Sequence, residues 1–303
     1  MRIEANLFNI PVAFFLVAGT AYGYFTDWSA SAPSRDLLPH EMVHSWNGKF
    51  RRPADLWTPS YDVPVHTSLL WVYEGMTEYW GMVLAARSGL WSLAYFRDTL
   101  AQYAASYDVG RAGRQWRNLQ DTTQQPIINY RGTQSYPSWQ RGKDYYTEGA
   151  LLWLDVDTKL RELTRGKRSL DDVMRLAYQR YAGPVGYTPE QFRDCVKEVA
   201  GPEVASWLEK AEYQLTDFDY SEEFAHLGLR FRPAPNRGNG KKPANGWLGA
   251  QTRASGTSVF ISGVRRETPA YEAGLNVDDE ILAIAAIRVA DNRILTSERF
   301  EAL

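Results

Sequence analysis

A mainly α-helical domain followed by a small α+β module is the fold the chain predicts, and three observations carry that expectation. Apolar residues recur every three or four positions through much of the chain past residue 23, and Gly, Pro and capping residues punctuate them, as amphipathic helices require. The run RPAPNRGNGKKPANG, Arg232 to Gly246, replaces that pattern with the composition of a linker. Past the linker, SVFISGVRRETPAYEAGL and DEILAIAAIRV pair apolar strand-like runs with turn residues and a short helical stretch after Pro269. The expected divisions are an apolar leader at 1–23, a helical domain at 24–231, a linker at 232–245 and a second module at 246–303. At 303 residues and 44% hydrophobic, the chain can bury a core in each of two domains.

Taken in order, the leader comes first. From Ala5 to Thr26 there is no charge, and PVAFFLVAG has the length of a signal-peptide core, with Ala30-Ser31-Ala32 as a small-residue cleavage site. A signal peptide would place the protein in the periplasm or outside the cell, and its absence would leave it in the cytoplasm. Glu4 and the lone Arg2 make a poor positive lead, while Asn9, Pro11 and the glycines argue against a membrane span.

The first helix follows, with Asp36 as its expected N-cap and Pro39 in its first turn. It carries His40-Glu41-Met42-Val43-His44, the HExxH pattern. Positions i and i+4 of a helix lie one above the other, so both imidazoles can reach one Zn2+ ion while Glu41 stands beside them as a general base. The competing reading is a surface helix with two solvated histidines. A third ligand decides between them, and Glu74 is the candidate. Ser68 to Arg87 reads as a helix stopped by Gly89, in which Glu74 and Glu78 lie one turn apart among Leu69, Leu70, Tyr73, Met76, Trp80, Val83 and Leu84. Carboxylates in such a run are costly to bury without a cation or hydrogen bonds. Two histidines and one carboxylate leave a fourth position open, as a catalytic zinc site requires.

LLPHEMVHSWNGKFRRPADL, LLWVYEGMTEYWG and DYYTEGALLWLD, in this order, resemble the glycyl aminopeptidase family of gluzincin zinc metallopeptidases, whose members often carry a C-terminal PDZ domain. The resemblance runs from about Tyr24 to the end of the chain. It implies a thermolysin-like helical catalytic domain, one zinc ion per chain held by His40, His44 and Glu74, Glu41 as base, and peptide substrates with small N-terminal residues such as Gly or Ala. It implies further that Tyr146, three residues before Gly149, stabilises the tetrahedral intermediate, with Tyr145 as the fallback. Such a donor is what the developing oxyanion needs in a dry site, while the alternative is that both tyrosines simply pack in the core. Members of the family carry an upstream β-rich domain with a GLEH-type strand that holds the substrate amino group. No such segment is visible here, so residues 1–23 are expected to be foreign to the fold.

The second module resembles an incomplete PDZ domain that would bind an extended peptide or a protein C-terminus, with a carboxylate loop near Gly246 to Gly249 and a strand at Ile281 to Ala285. Asp278 stands at the turn glycine of that pattern and Ala285-Ala286 at its Asp-Gly hairpin; aspartate tolerates the left-handed backbone better than alanine. An inert packing module is the other reading.

The remaining signals are structural. Ser169 with Asp172, and Thr188 with Pro189 and Gln191, are capping-box signatures, and Gly201-Pro202 separates two helices. Residues 109–140 lack periodicity and read as a long connection, in which Arg111, Arg114, Arg117 and Arg131 are either solvated or poised for a substrate carboxylate. Lys49, Arg51 and Arg52 read as a solvated basic loop. Cys195, the only cysteine, shares an apolar face with Phe192, Val196 and Val199 and is expected in the core. His66 and His226 lack partners at ligand spacing. A formal charge of −2 gives no reason to expect nucleic acid. A zinc endopeptidase and a catalytically silent peptide-binding protein with a vestigial metal site stay open as competing functions.

Overall fold

The structure, a computed structural model, describes residues 26–48, 50–110, 112–124, 141–183, 186–215, 220, 224, 225, 230, 248–265, 267–284 and 287–289. Helix α1 spans Leu37–His44. A turn of wide, π-type bonding at Trp71–Gly75 runs directly into α2, Met76–Arg87. The single helix expected over 68–87 is thus two pieces of different pitch. Then come α3 (Leu93–Gly110), α4 (Leu119–Thr122), α5 (Asp144–Leu163), α6 (Leu170–Tyr181), α7 (Pro189–Ala200) and α8 (Pro202–Tyr213).

Local chemistry accounts for most of these boundaries. Thr188 N–H donates to Gln191 Oε1 at 2.8 Å and Gln191 N–H to Thr188 Oγ1 at 3.3 Å, the reciprocal pair that opens α7. Asp172 Oδ2 accepts the Ser169 N–H at 2.9 Å before α6. Gly201, at φ +90, both closes α7 and precedes Pro202 of α8. The long connection after α3 is shorter than expected among the described residues. Asn118 caps the four-residue α4 through the Asp121 N–H at 2.8 Å, a helix too brief to show a period.

Helix α5 is the centre of the core. It buries Ala150, Leu151, Trp153, Leu154, Val156 and Leu160, and Trp153 stacks on Trp71 at 5.4 Å between ring centroids, 15° from parallel. Such a pair adds about 0.5–1.5 kcal/mol beyond the area it buries. Phe192, Cys195 and Val196 join the same cluster from α7, so the lone thiol is a packed core residue. The first turns of α5 are tied by buried ions: Arg114 Nε to Glu148 Oε1 at 3.1 Å, Arg141 Nε to Asp144 Oδ2 at 3.0 Å, and Arg141 again to Glu148. Arg114 is therefore neither solvated nor free for a substrate, and Arg117 donates to the Arg141 and Asp121 carbonyls. Arg51 also departs from expectation. Only 1% exposed, it donates to Asn47 Oδ1 at 2.8 Å and to the Met174 carbonyl at 3.2 Å.

The C-terminal segment holds a separate small cluster of Ile261, Val264 and Ala270, with Leu248, Leu275 and Ile281 packed on it. An antiparallel hairpin of β1 (Ala250–Ser255) and β2 (Ser258–Val264) precedes the short α9, Pro269–Glu272. Gly249 is at φ +76, and a Cβ there would meet Thr268 Cβ at 2.2 Å, so the position needs glycine. Asp278 does take the left-handed backbone, at φ +71. The strand expected at 281–285 is shorter: β3 (Ala283–Ile284) pairs with β4 (Ile287–Arg288) after Glu280 bridges Phe260. The leader, the linker, Lys49, Arg111, Arg131, His226, Gly246 and Ala285-Ala286 lie outside the described residues.

Two glycines set the distance between the wide turn and α5. A Cβ on Gly75 would lie 2.6 Å from the Tyr145 carbonyl oxygen and 2.8 Å from Gly149 Cα, both backbone atoms that cannot swing aside. Gly75→Ala gains about 1 kcal/mol of helix propensity, yet forcing the backbones apart costs more. The expected result is a net loss of about 1–3 kcal/mol, read as a lower urea midpoint at constant m. A midpoint equal to or above wild type contradicts the close crossing.

Candidate metal centre

Helix α1 presents His40 and His44 on one face, as the i, i+4 spacing requires, and packs against α2 at a third close-approach glycine, Gly81. A Cβ on Gly81 would stand 3.0 Å from His40 Cβ and 3.2 Å from the Asp36 carbonyl oxygen, so a larger residue would push the two helices apart by a few tenths of an ångström. Helix α1 begins where expected, but Asp36 does not cap it. Its backbone is already helical (φ −71, ψ −20) and its side chain makes no capping bond. Burial, then the charge of Glu78, pushes the Asp36 carboxyl up to about 7.

His40, His44 and Glu74 converge. The edges of the triangle are 3.1 Å from His40 Nε2 to His44 Nε2, 3.2 Å from His44 Nε2 to Glu74 Oε2, and 3.5 Å from His40 Nε2 to Glu74 Oε2. One face of a zinc tetrahedron, with bonds of roughly 2.0–2.1 Å, has edges of about 3.3–3.4 Å. The donor set fits such an ion.

The other ring nitrogens show which way the lone pairs face. Glu78 Oε2 lies 3.0 Å from His40 Nδ1, and the Asn47 carbonyl oxygen lies 3.0 Å from His44 Nδ1. The carbonyl acceptor at His44 Nδ1 and the Glu78 charge beside His40 Nδ1 favour protons on those atoms and leave the Nε2 lone pairs turned inward, toward each other and toward the Glu74 carboxylate. Three electron-rich atoms at this separation repel one another unless a cation sits among them. Without a metal, that cation is a proton. Burial opposes charge on His40, but Glu74 and then Glu78 outweigh it and push the imidazole up to about 10. Burial likewise opposes charge on Glu74, and the two histidines hold its carboxyl down to about 2.

Glu41 lies on α1 between the histidines, half-buried. Tyr146, on the first turn of α5, is set beside the triangle. Its ring centroid is 6.2 Å from that of His40, with the planes 25° apart. Burial, then the charge of Glu74, drives its phenol far above the ordinary range, so it stays a donor at every physiological pH. Tyr145, the fallback, is buried in the core at 4% exposure. His66 is exposed.

Residues 34–152 match the family model described as M61 glycyl aminopeptidase, and that stretch holds all five candidate residues. The match covers the stretch from the zinc-motif helix to the first half of α5. Among solved structures, the crystal structure of an aminopeptidase N family protein from Idiomarina loihiensis resembles it with a TM-score of 0.73 at 22% identity, over 88% of this chain. At that identity the likeness speaks to the fold, and the chain spans 46% of that protein's length. No curated protein matches by sequence.

Asn47, Glu78 and Tyr73 complete the surroundings of the site. Glu78 was visible as the second carboxylate of its helix, but not as the partner of His40. Tyr73 stacks on His44 with ring centroids 4.8 Å apart, and burial pushes its phenol up to about 12. Gly48 leaves it room, since a Cβ there would meet Tyr73 Cε2 at 2.8 Å. Asn47 carried no signal at all, because a lone asparagine after a helix reads as an ordinary terminus.

The raised His40 value gives metal uptake a defined pH dependence. Folding raises the pKa of this group, so below about 10 the metal-free imidazole holds a proton that a divalent ion must expel. Apparent Zn2+ affinity should therefore rise about tenfold per pH unit between pH 6.5 and 8.5, as measured against a competing chelator of known proton affinity. An affinity independent of pH would show that His40 carries no proton to displace.

Proposed function

We propose that this protein is a zinc-dependent metallopeptidase that acts as an aminopeptidase, releasing small N-terminal residues such as Gly or Ala from peptides. The observation that supports this reading best is the triangle of His40 Nε2, His44 Nε2 and Glu74 Oε2, whose edges match a tetrahedral zinc face and whose lone pairs demand a cation. A zinc ion held by these three residues supplies Lewis-acid polarisation of a carbonyl and acidifies water. The preference for small N-terminal residues is supported by the match of residues 34–152 to the glycyl aminopeptidase model rather than by a described pocket.

The chain's own residues divide the proton work. Glu41 takes a proton from the attacking water as its oxygen bonds to the scissile carbonyl carbon, then delivers that proton to the leaving amine as the C–N bond breaks. Tyr146 donates its hydroxyl to the carbonyl oxygen while negative charge grows there, the role of a fixed donor in a dry site. Its raised pKa keeps the proton on the phenol, so it acts by hydrogen bonding rather than by transfer. His44 keeps its Nδ1 proton on the Asn47 carbonyl, and the Glu78 charge beside His40 Nδ1 favours a proton there.

The C-terminal hairpin, α9 and the glycine-dependent contact between Gly249 and Thr268 support a PDZ-like module that would take an extended peptide or a protein C-terminus. Among the described residues no helix is long and apolar enough to cross a membrane.

Glu41→Gln should bind one zinc per chain with near wild-type affinity and lose hydrolysis of glycyl and alanyl peptides by at least about 10²-fold, as expected for removal of a general base. Tyr146→Phe should lower kcat by about 10²–10³-fold with little change in zinc content. Full turnover by Glu41→Gln would overturn the mechanism. An N-acetylated peptide should resist cleavage where its free counterpart is cut; equal rates would replace the aminopeptidase reading with an endopeptidase.

A further inference from the structure

We propose that Asn47 is a positioning residue for the metal centre, holding the wide turn that aims Glu74 and the ring of His44 through one buried side chain and its own carbonyl. The inference rests on the metal-centre reading above and goes beyond it, since nothing in the motif that places the ligands calls on residue 47.

Asn47 is fully buried three residues past His44. Its carboxamide nitrogen donates to the Val72 carbonyl at 2.9 Å and reaches the Tyr73 carbonyl at 3.3 Å and Thr77 Oγ1 at 3.0 Å. These acceptors bracket Glu74 in sequence: Val72 and Tyr73 belong to the turn that carries it, and Thr77 to the first turn of α2. Thr77 Oγ1 also donates to the Tyr73 carbonyl at 2.6 Å, and Trp153 Nε1 donates to the Trp71 carbonyl at 2.9 Å. Side-chain donors thus bind three successive carbonyls, 71 to 73, on the approach to Glu74. A π-type turn is rarer than an α-turn and holds one residue more per hydrogen-bonded ring, so it persists where surrounding contacts favour it. Here those contacts are a carboxamide, a hydroxyl and an indole.

The same residue acts on the histidine side. Its carbonyl oxygen accepts from His44 Nδ1 at 3.0 Å, which fixes the tautomer and the ring orientation. Its N–H donates to the Val43 carbonyl at 2.8 Å, and Arg51 Nη2 donates to its Oδ1 at 2.8 Å, which prevents the carboxamide from flipping. Asn47 therefore spans two ligands from different elements, and Arg51 sets its orientation.

Asn47→Asp tests the assignment because it keeps the shape and strengthens the bond to Arg51 while removing the N–H donor from Val72, Tyr73 and Thr77. Zinc affinity is measured by chelator competition, and the electronic absorption of the Co2+-loaded protein reports ligand geometry. Expected for Asn47→Asp is a 10–100-fold weaker zinc affinity and a changed Co2+ spectrum at saturation, with a thermal melt that stays cooperative. Zinc affinity and a Co2+ spectrum equal to wild type would overturn the proposal. Should Asn47→Asp fail to fold, Thr77→Val decides: it removes one arm of the clamp, and a severalfold loss of zinc affinity supports the proposal while wild-type affinity rejects it. Wild-type protein that binds no zinc is a separate result, which refutes the metal-centre reading itself.

Discussion

Two imidazole lone pairs and a carboxylate oxygen, held 3.1–3.5 Å apart and turned toward one another, are the constraint on which the rest of this structure depends. Such an arrangement is unfavourable by itself, since each atom repels the other two. It persists because the surrounding protein leaves the groups no alternative orientation, and because a cation relieves the repulsion. The upward displacement of His40 and the downward displacement of Glu74 are two expressions of that one demand. Either a proton or a divalent ion would meet it.

Several features far apart in sequence serve to keep those three atoms together. Gly81 lets α1 lie against α2, and Gly75 with Gly149 lets the wide turn lie against α5. The first contact places the histidines next to the helix that bears Glu78; the second sets Tyr146 beside Glu74. The Trp71 and Trp153 stack and the paired Arg114, Arg141, Asp144 and Glu148 then fix the depth and pitch of α5. Burying those ions contributes little net stability, because desolvation offsets most of their attraction. Their effect is to hold the first turn of α5, and with it Tyr146, in one place.

The HExxH motif is legible because its chemistry is local: it needs only one helix, and the helix period alone brings His40 and His44 to the same side. Capping at Thr188 and Ser169, the core position of Cys195 and the left-handed Asp278 were equally legible, since each depends on neighbours within a few residues. Asp36, Arg51 and Arg114 were misread for the opposite reason. Whether a carboxylate caps, and whether an arginine is solvated, depends on what packs against it from elsewhere in the chain.

The sequence by itself determined that two histidines and a carboxylate were available at ligand-forming positions, and that most of the chain would be helical, because periodicity, caps and glycine breaks are short-range properties. Only the tertiary structure decided the wide turn at Trp71–Gly75, the pairing of Glu78 with His40, and the reach of Asn47 across to Val72 and Thr77. These depend on side chains that meet over 25 to 82 residues of separation, as the Asn47–Val72 and Trp153–Trp71 bonds show. No local pattern encodes such a meeting; close packing of the helices produces it.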